Sequence, residues 1–286
     1  MLLLLVQRLG RHVVRHRAAR PLSTGAAAVA KGGFHIGGVK SDGTTKRFYD
    51  RVSIFPIDVE EGVQNYAIDI DKRLVQTPRK RILLVPTREL ALAVAGEWSL
   101  QTDQVRPTSM PLTALVTTAL DQFSCPEESE KCLSKVKAHL RSDAICFRVD
   151  SPNELVEKQT EMWDPLIAWV KDEFNAPMKT TTELTVDQPD ASVDALYDAI
   201  VSTDPWRLSA IDSVASLARS YIIGLAVERG RITAQQAYEA SRLHEDYQIA
   251  NWGKVEGGHD IDQAYVSMKM SAVGTYLELL PKRADQ

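Results

Sequence analysis

The chain has 286 residues, 34 Lys+Arg against 38 Asp+Glu for a net charge of −4, 44% hydrophobic residues and 3 Cys. These are ordinary globular values and exclude a collagen-like repeat, a disordered tail protein and a disulfide-stapled module. No apolar run approaches the ~20 residues of a membrane-spanning helix, so the chain is expected to be soluble and at most peripheral to a membrane.

Residues 1–31 carry Arg8, Arg11, Arg15, Arg17, Arg20 and Lys31 and no acid, a segment charge of +6 that leaves −10 for residues 32–286. An Arg-rich, acid-free start containing Ser and Ala has the composition of a mitochondrial presequence. A secretory signal would place its cations before an apolar core, whereas here five apolar residues come first. Arg20-Pro21-Leu22-Ser23-Thr24-Gly25 resembles a matrix processing site. The remaining body is acidic, which excludes nucleic-acid binding as a leading function because phosphate contacts need a Lys/Arg surface. Residues 32–45 hold five glycines and read as a flexible linker. Gly33 and Gly38 have phosphate-loop spacing, but Val39 intervenes before Lys40-Ser41, so no nucleotide site is expected there.

Residues 46–150 read as a mixed α+β unit. Short runs at residues 47–49, 52–55, 66–70, 74–75 and 81–85 are rich in aromatic and β-branched residues, with Asp71-Lys72 as a hairpin turn, and predict a small antiparallel sheet. Thr87 can cap a helix in which Leu90, Val94 and Trp98 recur at i, i+4 and i+8, making Trp98 a packing residue. Helix is expected again over 112–120 and 127–140, then a short strand over 145–148.

Residues 151–286 read as a helical bundle. One long helix is expected over 154–174, kinked or restarted near Trp163-Asp164-Pro165, with Trp163 as a second structural residue. The Thr-rich interval 179–187 could form a hairpin arm. Further helices are expected over 190–202, 206–229, 233–250 and 260–280. In the 206–229 segment Ile211, Val214, Ala218, Ile222 and Leu225 form a core stripe, while Ser213, Ser216, Ser220 and Gly224 allow close helix approach.

Little in this body suggests catalysis. There is no Gly-x-Ser-x-Gly elbow, and Cys125, Cys132 and Cys146 have neither Cys-x-x-Cys nor zinc spacing. His139, His244 and His259 share no ligand pattern, and no cofactor or metal is expected. Glu245 is the conspicuous carboxylate. On a continuous 233–250 helix it shares a face with Tyr238, Ser241, Ile249 and Trp252, opposite Ala240, Leu243, Tyr247 and Ala250. A helix apolar on two sides is either sandwiched or presents one side to a partner. Glu245 is then either satisfied by Arg242 within the chain or part of a partner-binding face comprising Glu245, Tyr238, Arg242, Ile249 and Trp252.

Ser241-Arg242-Leu243-His244-Glu245-Asp246-Tyr247-Gln248 followed by Trp252-Gly253 resembles the signature of the mitochondrial ATP synthase F(1) complex assembly factor 2 family. Thr77-Pro78, Glu97-Trp98-x-x-Gln101, Met110-Pro111-Leu112-Thr113, Arg148, Gln159 and Trp163-Asp164-Pro165 agree in order. His244 stands where the family usually has an acid, and Phe147 where Tyr is common. The resemblance implies an α+β fold with a C-terminal orthogonal all-α bundle, and a non-enzymatic matrix chaperone. Such a chaperone holds the unassembled alpha subunit of the catalytic head, masks its apolar interface and passes it to the beta subunit. The alternatives are a matrix enzyme using Glu245 and Asp246 with His244 or His259, and a structural subunit of a stable complex.

Overall fold

The computed structural model describes residues 43–60 and 63–283; the expected presequence and most of the linker lie outside them. The first elements are extended. β1 (Thr45–Lys46) pairs antiparallel with β6 (Gln104–Val105), so the 47–49 run lies just outside a strand. β2 (Val52–Glu60) and β3 (Val63–Ile70) form an antiparallel hairpin, and β4 (Arg73–Leu74) and β5 (Leu84–Val85) share the other edge of β3. Between β3 and β4, Asp71 and Lys72 both adopt positive φ, 49° and 66°. This is the left-handed pair that a two-residue hairpin turn requires. Asp71 steadies it by accepting the N–H groups of Asp50 (3.1 Å) and Arg51 (2.9 Å). These bonds, led by that from Arg51, hold its carboxyl below the ordinary range.

Helix α1 (Arg88–Ser99) starts where Thr87 accepts the Leu90 N–H, and it buries Leu90, Ala91, Val94, Ala95 and Trp98. Its last turn organises the following loop. α2 (Pro111–Thr118) begins with a proline and has no capping side chain of its own. Its orphan donors are instead taken by Glu97, whose carboxylate accepts Leu112 N–H (2.7 Å), Thr113 N–H (2.7 Å) and the Thr113 hydroxyl (2.6 Å). Gln101 accepts the Arg106 N–H and donates to Glu97 O, closing the 100–110 loop. Tyr49 donates its hydroxyl to Trp98 O at 2.7 Å. Thus Glu97-Trp98-x-x-Gln101 and Met110-Pro111-Leu112-Thr113 are two halves of one junction.

α2 runs into a π-type turn, Ala119–Phe123, whose buried Asp121 accepts the Thr77 hydroxyl at 2.7 Å. The expected 127–140 helix is two, α3 (Pro126–Leu133) and α4 (Val136–Arg141). The expected strand at 145–148 is a 3-10 turn, Ala144–Cys146, followed by a single parallel bridge between Phe147 and Thr181. The 179–187 interval therefore forms no hairpin. At its start Gln188 satisfies Lys179, its amide accepting from Lys179 N and donating to Lys179 O, both at 2.8 Å, while Thr181 exchanges backbone bonds with Cys146 and Arg148.

α5 (Asn153–Phe174) carries Pro165 inside it and ends on Asn175 at φ 50°. α6 (Asp190–Val201) follows. The expected 206–229 helix is broken at Arg219, φ 54°, into α7 (Pro205–Ala218) and α8 (Tyr221–Glu228). Ser220 caps α8 by accepting the Ile223 N–H, and fully buried Asp143 accepts the Ile222 N–H. α8 folds back on α7 so closely that a Cβ at Gly224 would sit 2.7 Å from Ile211 O. The expected 233–250 helix is likewise two, α9 (Ala234–Ser241) and α10 (Leu243–Trp252), interrupted at Arg242. α11 (His259–Leu279) closes the fold by burying Val266, Met270, Ala272, Val273 and Tyr276. Its end reaches the start of α1, where Thr87 donates its hydroxyl to Leu279 O at 2.6 Å. One buried apolar cluster runs from Tyr49 to Leu280. The architecture is α+β, small antiparallel sheets followed by a largely helical C-terminal region, and among the described residues no helix is long and apolar enough to cross a membrane.

Candidate functional site

The break at Arg242 redistributes the residues that a continuous helix would have placed on one face. Tyr238 and Ser241 stay on α9, while Glu245, Ile249 and Trp252 occupy α10 at i, i+4 and i+7. Arg242 is only 4% exposed. Its guanidinium meets Asp262, at the start of α11, and lies 3.5 Å from Asp246. Arg242 therefore belongs to the scaffold and ties α9 and α10 to α11. Glu245 does not pair with it. That carboxylate is exposed and makes no hydrogen bond or ion pair with any described residue. Tyr238 and Ile249 are half-buried, and Trp252 is 78% exposed. α10 ends on Gly253, whose φ of 86° only glycine adopts readily, so the chain turns away directly after the tryptophan.

Against α10 lies a network of polar groups in which Gln159 and Trp163 are buried and Arg148 and His244 half-buried. Arg148 donates to Ile145 O (2.9 Å) and Gln159 O (3.1 Å), pairs with Asp164 (2.8 Å) and lies over the Trp163 ring. Gln159 is buried, and its side-chain carbonyl accepts the Val149 N–H at 3.0 Å. That fixes the amide orientation, so Gln159 Nε2 donates to His244 Nε2 across 2.6 Å. The imidazole is consequently neutral at that nitrogen, and burial pushes its pKa below the ordinary value of 6.5. Trp163 is buried, donates Nε1–H to Ala240 O (3.1 Å) and packs edge-on to His244. Position 244 thus requires an acceptor facing Gln159, a role that a carboxylate fills as readily as a neutral imidazole.

Sequence spacing alone did not reveal the Gln159–His244 bond or the Arg242–Asp262 pair. The only signal was that Arg148, Gln159 and Trp163 belonged to the same ordered motif set as residues 241–248. Trp98, on α1, is buried against the sheet. For acid–base chemistry the arrangement offers little. His244 Nε2 is engaged by Gln159, and His259 Nδ1 accepts the Val255 N–H at 3.2 Å. Among the described residues no cluster of His, Cys, Asp and Glu has the geometry to hold a metal. What α10 offers is an exposed carboxylate with no ion-pair partner among the described residues and, two turns further on, an exposed indole.

Comparison with known proteins points to one group. Residues 46–171 match the family described as ATP12 chaperone protein. The Schizosaccharomyces pombe protein atp12, mitochondrial, is 28% identical over 223 residues, covering 72% of this chain and 74% of its own. The crystal structure of Atp12 from Paracoccus denitrificans superposes with a TM-score of 0.71 at 33% identity, covering 82% of this chain and 98% of the bacterial one. The Atu1473 protein of Agrobacterium tumefaciens gives a TM-score of 0.73 at 30% identity, covering 83% and 87% of the two chains. Likeness at that identity over nearly the whole bacterial protein exceeds a shared fold, and the chain belongs to the ATP12 chaperone family.

Proposed function

We propose that the protein is a mitochondrial assembly chaperone of ATP synthase: it binds the unassembled alpha subunit of the catalytic head in the matrix, masks its apolar interface and yields it to the beta subunit without catalysis or nucleotide. The observation that carries this reading is the α10 surface, where Glu245 and Trp252 are exposed on a helix anchored from below by Arg148, Gln159, Trp163 and Arg242. A subunit made for a ring exposes a large apolar interface before assembly, and a soluble acidic partner that covers it prevents aggregation. Release then follows from competition by the next subunit. The mitochondrial setting draws support from the name of the fission-yeast relative and from the acid-free, Arg-rich composition of residues 1–31.

The test is capture of purified, unassembled alpha subunit by the chain and by two charge reversals. Glu245→Lys is expected to weaken capture about tenfold or more, as expected for a desolvated interface charge. Glu239→Lys serves as the control, because its carboxylate is exposed on α9 and accepts only from Gln235. Equal capture by both variants would remove the α10 face from the function. Failure of the unmodified chain to keep the alpha subunit soluble would remove the chaperone assignment itself.

A further inference from the structure

Of the eight large apolar side chains exposed among the described residues, four fall between residues 252 and 265: Trp252 (78%), Val255 (61%), Ile261 (64%) and Tyr265 (46%). Trp252 ends α10, Val255 lies on the connecting loop, and Ile261 and Tyr265 stand one turn apart on α11. The loop has defined form. Gly253 and Gly257 both take positive φ, and the Val255 N–H is bound by His259 Nδ1. α11 spends its other face on the core through Val266, Met270, Val273 and Tyr276. Ile261 and Tyr265 face outward, Tyr265 with the Lys269 ammonium 5.8 Å from its ring, and an apolar concentration of this kind marks an interaction surface.

The charges around it select the partner. Residues 242–269 contain Glu245, Asp246, Glu256, Asp260 and Asp262 against Arg242, Lys254 and Lys269, the last lying over the Tyr265 ring at 5.8 Å. Arg242 is paired with Asp246 and Asp262, whereas Lys254 meets only the neutral Gln263 Oε1 at 2.8 Å and keeps its charge at the surface. Glu245 and Glu256 have no ion-pair partner among the described residues, and one oxygen of Asp260 is shielded from water without accepting a hydrogen bond from them. A second copy docking on this surface by two-fold symmetry would set acid against acid. An anionic lipid surface would be repelled for the same reason. A polypeptide that brings Arg or Lys beside apolar side chains satisfies both the carboxylates and the exposed hydrophobics.

We infer that the α10–α11 loop and the first two turns of α11 form a docking surface, Trp252, Val255, Ile261 and Tyr265 rimmed by Glu245, Glu256 and Asp260, for a cationic amphipathic segment of the client protein. This extends the binding face beyond α10, and it rests on the chaperone reading only for the client's identity. The test uses the full chain and a fluorescein-labelled amphipathic peptide of Leu and Lys, with a Leu and Glu peptide of equal length as its opposite, followed by fluorescence anisotropy. Ile261→Ser combined with Tyr265→Ser, and separately Glu256→Lys, are expected to weaken binding of the Lys peptide about tenfold. Asp172→Lys, an exposed acid on α5, should change it less than about twofold, since a distant surface charge is screened. Thermal midpoints of all variants are expected to match that of the unmodified chain, because the altered side chains are exposed.

An equal loss with Asp172→Lys would reduce the attraction to diffuse charge and overturn the inference. So would Glu-peptide binding as tight as Lys-peptide binding, or a double serine variant that binds normally. Binding to phosphatidylglycerol vesicles in place of the Lys peptide would assign the surface to a membrane instead. Running alpha-subunit capture in parallel separates the two readings. A chain that binds the Lys peptide through this surface but captures no alpha subunit keeps the docking surface and loses the proposed client; a chain whose double serine variant captures alpha subunit undiminished keeps the client and loses the surface.

Discussion

Glu97 and Glu245 both fall in motif stretches, and the fold treats them in opposite ways. Glu97 is held at the α1–α2 junction, where three donors converge on it and burial pushes its pKa upward against those bonds. Glu245 stands exposed on α10, beside His244 on which its charge acts, with no hydrogen bond or ion pair to any described residue. The first motif is accounted for entirely by folding, since a proline-led helix lacks a cap and a neighbouring carboxylate supplies it. In the second motif Arg242 and His244 are accounted for in the same way, and Glu245 is not. A motif residue whose interactions are complete inside the chain encodes structure, and one whose interactions are left open is the candidate for a partner contact.

The sharpest way to test that division is to remove side chains from the closed side. Trp98→Ala deletes a buried indole packed beneath the sheet and is expected to cost on the order of 3–5 kcal/mol in denaturant unfolding, the loss typical of a large core aromatic. If stability stays unchanged while client capture disappears, Trp98 is an interface residue and the division is drawn in the wrong place. Glu97→Gln should cost less, about 1–3 kcal/mol, because each carboxylate oxygen accepts one backbone N–H at the start of α2 and the amide NH2 that replaces one of them leaves that donor without its acceptor. Client binding by the folded fraction should be unaffected.

Legibility in the sequence follows the range of the interactions. The α1 start, its apolar register and the Asp71-Lys72 turn were readable because each is fixed by residues within a few positions. The breaks at Arg219 and Arg242 were not, since neither position is Gly or Pro and the local periodicity runs straight through. Arg219 accepts a left-handed conformation where buried Asp143, 79 residues away from Ile222, binds the start of α8. Arg242 leaves the helix where its guanidinium is drawn to Asp262, 20 residues on. The 145–148 run has strand-like composition, but its backbone finds only Thr181 to pair with. For the candidate site, helical spacing could propose Glu245 and Trp252. It could not foresee that Arg242 would turn inward, because that depends on where α11 lies.

His244 sits between the two regions and gives a smaller, pH-dependent effect. Its pKa is depressed in the folded protein by burial, so the unfolded chain binds the proton more readily. Its stabilising contribution is therefore fully present above about pH 6.5 and is lost as pH falls through the folded pKa, when a protonated Nε2 would confront the Gln159 donor. His244→Glu keeps an acceptor at that point and should preserve stability near neutral pH while flattening the loss on the acid side attributable to this residue. His244→Ala should cost about 1 kcal/mol at neutral pH through the unmet Gln159 amide. Unfolding curves between pH 5 and pH 8 that are superimposable for the native chain and His244→Glu would show that protonation of His244 carries no stability cost, and an equally stable His244→Ala variant at neutral pH would show that the bond does not contribute.

The smallest effect on stability is expected where the functional effect is largest. Trp252 is 78% exposed, and Glu245 is exposed without a partner in the described chain, so Trp252→Ser and Glu245→Lys should each shift unfolding free energy by no more than about 0.5 kcal/mol. Charge reversal at Glu245 adds a cation to an acidic neighbourhood containing Asp246, Glu256 and Asp260, which should leave the fold unharmed or slightly firmer. If either change lowers stability by 2 kcal/mol or more, the side chain makes a contact that the division assigns to the closed class, and the α10 surface is part of the scaffold. If stability holds and capture of the alpha subunit falls, the open carboxylate and indole are there for the client, because the chain itself gains nothing from keeping them.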